Sequence, residues 1–193
     1  MPQPAHLEEQ TIPAPADLEQ VRRFLSLHEH VAGEPESLPP ERSTLDRWFH
    51  DQGAVGRNDR IAGGDLAWAA DVREALVSKA RENMGEPRDD AAIGLLNEAA
   101  KETGLRPCFG SGDDSRLHTA IGGVRGAVGL MLGAAFLAEL EGTWKRFRLC
   151  ADPDCLTVFY DHSKNRSGKW CSMRSCGNRS KVRAFRERKM AGS

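Results

Sequence analysis

Long, unbroken apolar runs are missing from this 193-residue chain. Its most apolar stretch, Val124 to Leu140, is interrupted by Arg125 and Glu139 and is rich in Gly and Ala. A membrane-spanning helix needs about 20 consecutive apolar residues, so no membrane role is expected. Met1 to Gln10 lacks a basic start followed by an apolar run, so a secretory signal is not expected either. Internal repeats are absent. So are the short motifs of common catalytic sites: there is no His-Glu-x-x-His and no nucleophile elbow, and the glycines around Gly122 and Gly129 lie outside the strand–helix setting of a phosphate-binding loop. The histidines His28, His30, His50 and His118 are scattered, and His28 and His30, two apart on one helix, would point to different sides. These absences argue against an enzyme. They suit a cytoplasmic protein, whose clustered thiols would be reduced and available as ligands rather than paired as disulfides.

The formal net charge of −1 hides a polarity. Residues 1–146 carry 16 Lys and Arg against 24 Asp and Glu, a balance of −8, whereas residues 147–193 carry 11 against 4, a balance of +7. An acidic body with a basic tail points to a polyanion as partner for the tail, although a solvated charged terminus has the same composition.

The body, residues 1–144, reads as mainly helical with a small β-hairpin, an α+β unit. Asp17 to His30 places Val21, Phe24, Leu25 and His28 on one helical face. Ser43 to Asp46 resembles a capping box opening a short helix through Trp48 and Phe49. Leu66 to Met84 carries an apolar stripe, and Asp90 to Glu102 has acids at its start and Gly104 as its stop. Leu105 to Gly110 and Arg116 to Gly122 flank a turn-rich tetrapeptide and read as paired strands, with Cys108 a small buried hydrophobe in the first. Val124 to Glu141, apolar nearly all round, is expected at the centre of the core; Gly129 and Gly133 suggest close packing there. Such a body could sense a small-molecule effector or mediate homodimerisation.

Residues 145–193 follow with no Pro/Gly/Ser-rich linker, so tail and body should be coupled in orientation. Four of the five cysteines fall here, as Cys150-x4-Cys155, fifteen residues, then Cys171-x4-Cys176. Two close pairs separated by a hairpin-sized insert are what a tetrahedral zinc site with four thiolates requires. An iron–sulfur cluster or two disulfides would use the same residues and are the lesser readings. Four protein ligands leave no open position for a reactive water, so one structural Zn²⁺ is expected. His162 reads as a loop residue. Leu156 to Tyr160 has strand composition, Lys169 to Cys171 would be the returning strand, and Phe159 and Trp170 would cover the metal and dock it on the body.

After Cys176, Gly177 suits a positive φ or a close approach to sulfur. Asn178 is a candidate N-cap for a basic helix beginning at Arg179. Val182 and Phe185 would face the zinc module; Arg179, Arg183 and Arg186 form a second face, and Lys181 and Arg188 another. Together with Arg166, Lys169 and Arg174 of the preceding knuckle, and with Asn178, these residues are the candidate DNA contacts. Arginine alone does not separate DNA from RNA. The alternative is a zinc-stabilised interaction module whose basic helix docks an acidic partner or the chain's own acidic body.

The string Arg148-x-Cys150-x4-Cys155-x3-Phe159-Tyr-Asp161-x-Ser163, followed by Trp170-Cys171-Ser-Met-x-x-Cys176-Gly-Asn-Arg179-x-Lys181, closely resembles the CGNR zinc finger family, whose name Cys176 to Arg179 spell out. The body resembles the ABATE domain that accompanies this finger in bacterial proteins, through element order, Leu45-Asp-Arg-Trp48 and Asp71-Val-Arg-Glu-Ala-Leu76. Many relatives carry a Phe-Val-Asn-Thr-like segment where this chain has Phe24-Leu-Ser-Leu27, so no role of that Asn-Thr is carried over. The resemblance implies a stress-responsive transcription regulator, with zinc on Cys150, Cys155, Cys171 and Cys176, DNA contacted by the finger, and a sensory body.

Overall fold

A computed structural model describes residues 11–27, 40–111, 114–155 and 157–191. It is mainly helical, with a small antiparallel hairpin in the body and a four-cysteine cluster behind it, as the sequence reading has it; a second small hairpin, between body and cysteines, is not in that reading. In chain order the elements are α1 (Leu18–Leu25), α2 (Arg42–Asp51), α3 (Gly63–Glu82), α4 (Asp90–Glu102), β1 (Arg106–Cys108), β2 (Arg116–His118), α5 (Gly123–Leu140), β3 (Phe147–Leu149), β4 (Val158–Tyr160) and α6 (Asn178–Ala191).

Helix α3 is the hub, packing against α1, α2, α4 and α5. Its Leu66, Ala69, Val72, Leu76 and Ala80 stripe meets Phe24 and Leu25 of α1 and Leu45, Trp48 and Phe49 of α2 in one core. Buried Arg73 reaches from α3 to the C-terminal end of α1, where its Nη2 donates to the Leu25 carbonyl at 2.7 Å. That satisfies a carbonyl left orphaned by the helix end. Glu74 pairs with the same guanidinium. Burial pulls the Arg73 pKa down to about 10, against the charge and hydrogen bond of Glu74, and leaves it a cation at neutral pH.

Helix α1 is shorter than the pattern suggests, and His28 and His30 lie outside the described residues. The capping box at Ser43 does not form. Helix α2 starts two residues earlier than a Ser43 cap would place it, at Arg42, and the Ser43 Oγ donates to the Glu41 carboxylate at 3.3 Å instead of capping the helix. Asp89, by contrast, caps α4 with bonds from the Ala91 and Ala92 amides, and Gly104 ends the helix turn at φ +63.

The β1–β2 hairpin pairs Arg106 with His118 and Cys108 with Arg116. It rests on the glycine stripe of α5. A Cβ on Gly129 would come within 2.8 Å of Thr103 and Thr119, and one on Gly133 within 2.4 Å of Leu117. Cys108 is only partly buried, at the turn end of the hairpin. Helix α5 differs from expectation in one respect: it is not buried all round. Leu130, Phe136, Leu137 and Leu140 are exposed along one side, because the neighbours cover only the opposite face. Among the described residues it alone is long and apolar enough to cross a membrane, and half of it is buried inside the fold.

The second hairpin joins body to tail. Strand β3 pairs with β4 in the register Phe147–Tyr160, Arg148–Phe159 and Leu149–Val158. Side chains alternate across a strand, and here both faces are used. Phe147, Leu149, Val158 and Tyr160 enter the body's core, while Phe159 joins the cysteine cluster. The strand expected at Lys169 to Cys171 does not form, since β4 takes β3 as its partner. That returning segment is held by a single backbone bond, Ala151 N–H to the Lys169 carbonyl at 2.8 Å.

Candidate metal centre and nucleic-acid interface

Three pieces of chain bring the four sulfurs together. Strand β3 delivers Cys150, the turn at 152–155 delivers Cys155, and the stretch from Cys171 through a π-helical turn at Met173–Gly177 delivers Cys171 and Cys176. The four Sγ atoms lie within 4.8 Å of one another and all four residues are buried. Sulfur pairs Cys155–Cys171 and Cys171–Cys176 stand 3.5 and 3.6 Å apart. A disulfide needs about 2.05 Å, whereas four sulfurs bound tetrahedrally at about 2.3 Å have edges of about 3.8 Å. The cluster therefore fits one Zn²⁺ and no disulfide. Phe159 and Trp170 cover it, as expected.

Without a cation this arrangement opposes itself electrostatically. Hydrogen bonding with Cys155, burial and the Cys155 charge push the Cys150 thiol up to about 12, against hydrogen bonds from Cys171. Cys171 and Cys176 are also raised, Cys171 chiefly by hydrogen bonds with its neighbours and Cys176 chiefly by burial. Cys155 alone is lowered, by hydrogen bonds to Cys150 and Cys171. Like charges packed this closely and buried oppose one another. Four thiolates require a dication, and its binding displaces protons.

The polar shell is specific. The Cys171 amide faces the Cys150 sulfur at 3.5 Å, Ser175 Oγ donates to the Cys176 sulfur at 3.8 Å, and the Thr157 hydroxyl lies 3.2 Å from Cys155 Sγ. The strongest donor is Arg179, whose Nη2 donates to Cys176 Sγ at 3.0 Å. The same guanidinium donates through Nε to Asp152 Oδ2 at 2.8 Å. Burial works against the Arg179 charge, but Asp152 and the cysteine sulfurs outweigh it and hold the group cationic. The Asp152 carboxylate is fully buried and also lies 3.5 Å from Arg183, which pairs with Asp154 at 2.7 Å. Two acids between the first pair of cysteines thus anchor the first two turns of α6. Sequence reasoning overlooked both. Their signal was there: Asp152 and Asp154 are two of only four acids in residues 147–193.

Gly177 has no positive φ; its role is space. A Cβ there would approach Met173 Sδ to 2.9 Å and Trp170 to 3.3 Å. Asn178 is not an N-cap. It is already helical, continuing the π-helical turn, and its Nδ2 donates to the Arg174 carbonyl at 3.0 Å. Nor do Val182 and Phe185 face the zinc: they are 49% and 62% exposed, because arginine–aspartate pairs, not apolar contacts, hold that side of the helix.

The proposed DNA contacts divide by position. Arg179 and Arg183 are engaged with the knuckle. At about 100° per residue, Lys181 lies on the opposite side of α6, with Arg188 close to the same direction. Arg166, Lys169, Arg174, Asn178, Lys181, Arg186 and Arg188 are exposed. The Arg166 backbone, at φ +52, accepts a bond from Arg148 through its carbonyl, and its side chain projects from the loop. His162 is a loop residue bound to the Pro13 carbonyl at 2.9 Å, not a metal ligand.

Comparison with known proteins agrees with this geometry. The model of the CGNR zinc finger family matches residues 146–189. The ABATE family model, described as "Putative stress-induced transcription regulator", matches residues 16–141. No curated protein matches the chain. The ABATE match spans well over half of the sequence, and the protein accordingly belongs to the ABATE family and carries a CGNR zinc finger behind that domain.

Proposed function

We propose that this protein is a DNA-binding transcription regulator in which zinc sets the pose of α6 and α6 meets the duplex. The observation that carries this reading is the division of the helix. One side is tied to the metal knuckle through Arg179 and Arg183, and the other is exposed and basic. Lys181 and Arg188 on the outer side, with Arg186 and with Arg166, Lys169, Arg174 and Asn178 of the knuckle, form the contact set. Such cations fix position on the phosphates, and any bidentate arginine would read base edges. Arg179 and Arg183 support the contact by holding the helix. The family's description as a regulator supports the same reading.

The test is selection from a random duplex pool at physiological salt, using zinc-loaded protein beside Cys171→Ser. An enriched sequence that the variant fails to retain is the expected result; no enrichment would rule out sequence-specific regulation. A second reading rests on Val182, Phe185 and Met190, which are exposed on the same basic helix and would suit an acidic amphipathic protein partner. A protein recovered on α6 after exhaustive nuclease treatment, and lost in Phe185→Ala, would favour that reading.

A further inference from the structure

Helix α5 and the β1–β2 hairpin together form a step on the body's surface. A Cβ on Gly129 would meet Thr103 and Thr119, and one on Gly133 would meet Leu105 and Leu117. The hairpin therefore runs along α5 with its turn end toward the last two turns of the helix. Past Gly133 the helix is bare: Phe136, Leu137 and Leu140 are 56%, 43% and 70% exposed, and Leu130 beside the hairpin is 45% exposed. At about 100° per residue these four fall within a sector of about 120°. Phe109, at the turn end of the hairpin, is 92% exposed.

Area and charge together say what covers this face. Free side chains of this size present roughly 200 Å² each, so the five offer about 600 Å², and a stable pair of proteins buries roughly 600–1,000 Å² on each partner. The bare end of the step is acidic, with Glu139 and Glu141 exposed on the last turn of α5. The raised end is basic. Leu117 faces α5, so Arg116 and His118, and Arg106 across the ladder, lie on the hairpin's outer face, and all three are exposed. Glu139 pairs with Lys79 and Arg116 with Asp114, whereas Glu141 and Arg106 have no ion pair among the described residues. An anionic lipid surface would meet the two glutamates. A surface whose low end is apolar and acidic and whose raised end is basic complements itself by a twofold rotation.

We infer that this face pairs with a second copy of the chain about a twofold axis, α5 antiparallel to its counterpart. The hairpin of each copy then lies on the bare last turns of α5 in the other. Arg106 and Arg116 of one copy come to Glu139 and Glu141 of the second, over a centre of Phe136, Leu137 and Leu140. Phe109 at the hairpin's tip extends the apolar contact. The pairing stands apart from the DNA-binding reading, and its test uses no DNA.

The experiment is sedimentation equilibrium of the full-length, zinc-loaded protein across a concentration series. The expected species has twice the 21.2 kDa mass of the chain. Phe136→Glu and Leu140→Glu should each leave a monomer, with zinc content and melting temperature measured to show that the variant is folded; both side chains are exposed, so the fold should tolerate them. Arg106→Glu and Glu141→Arg should each weaken association by about tenfold or more, because a surface ion pair turned to repulsion counts twice across a twofold. Combined in one chain, the two exchanges should restore most of the lost affinity. A monomer at every soluble concentration, whether or not it sediments with vesicles of anionic lipid, would overturn the pairing. So would a dimer whose affinity is unchanged in folded Phe136→Glu and Leu140→Glu, or a double exchange that associates no better than either single one.

Discussion

Body and finger are held together by opposite means. The body closes over Phe24, Leu45, Phe49, Val72, Leu76 and Val128, all essentially inaccessible to solvent, with few buried polar groups. The cysteine module buries four sulfurs, Phe159 and part of Trp170, and its other tight contacts are ionic: Arg179 to Asp152 and Arg183 to Asp154. So little apolar surface does not offset the ordering entropy of about 40 residues. Metal coordination supplies what burial lacks, and the charged shell converts a metal site into an oriented helix. The β3–β4 hairpin belongs to both regimes, one face in the body's core and the other toward the sulfurs. Metal-dependent and metal-independent order should therefore meet along this hairpin.

The most severe way to break that comparison is to remove the metal. Structural zinc in finger peptides contributes roughly 10–16 kcal/mol, so chelation or Cys150→Ser should unfold the segment from Cys150 onward. The body should keep its helical circular dichroism, and its melt should survive. Hydrogen exchange would locate the boundary; loss of protection throughout α3 on chelation would show that the two regions are not separable. Next in size is Phe147→Ala, which empties a fully buried site on the body side of the hairpin. The expected cost is about 3–5 kcal/mol, read in the denaturation midpoint of the body, with zinc stoichiometry unchanged.

How much of this was legible beforehand depended on how local each signal is. Helix α4 could be read from Asp89, Asp90 and Gly104 because caps act within one turn. The cysteine tetrad could be read because ligand spacing is a local constraint on a loop. Strand β3 escaped notice: Phe147-Arg-Leu149 is too short to show alternation, and its partner is set by a register across the zinc loop. Arg179 and Arg183 looked like phosphate contacts because composition gives a charge but not its partner, and Asp152 lies 27 residues upstream of Arg179. The exposed side of α5 was hidden for the same reason, since an apolar sequence does not say which face its neighbours cover.

The arginine–aspartate shell yields the third prediction. Asp152→Asn leaves Arg179 and Arg183 without their buried counter-charge. Breaking a fully buried pair costs about 3–5 kcal/mol; Arg179 is 45% exposed, so the cost here should be about 2–3 kcal/mol after solvent screening. It should appear as faster zinc loss to a chelator and looser α6 exchange. Arg179→Lys separates the two roles of this residue. A phosphate contact would survive, since lysine keeps the charge. A planar fork that bonds Asp152 and Cys176 Sγ at once would not. Zinc should therefore leave Arg179→Lys more readily; unchanged zinc retention would return Arg179 to the contact surface.

The smallest effect is also the most discriminating. Lys181 sits opposite the anchored side of α6, is exposed, and has no ion pair among the described residues. Lys181→Ala should therefore leave melting temperature, zinc affinity and body stability within error, because a solvated cation contributes little to folding. If the helix meets DNA on this side, the variant loses one phosphate contact. Affinity then falls modestly and nearly equally across sequences, and the slope of log affinity against log salt becomes shallower by about one. Arg188→Ala should behave in the same way. Asp152→Asn should instead lower affinity by disordering the helix, through a conformational penalty that is not itself a count of released counterions. A variant that alters the salt slope without altering the fold marks a contact, and one that alters the fold first marks a support. If Lys181→Ala leaves the slope unchanged while Arg183→Ala makes it shallower with zinc retention intact, the outer and inner faces of α6 must exchange roles.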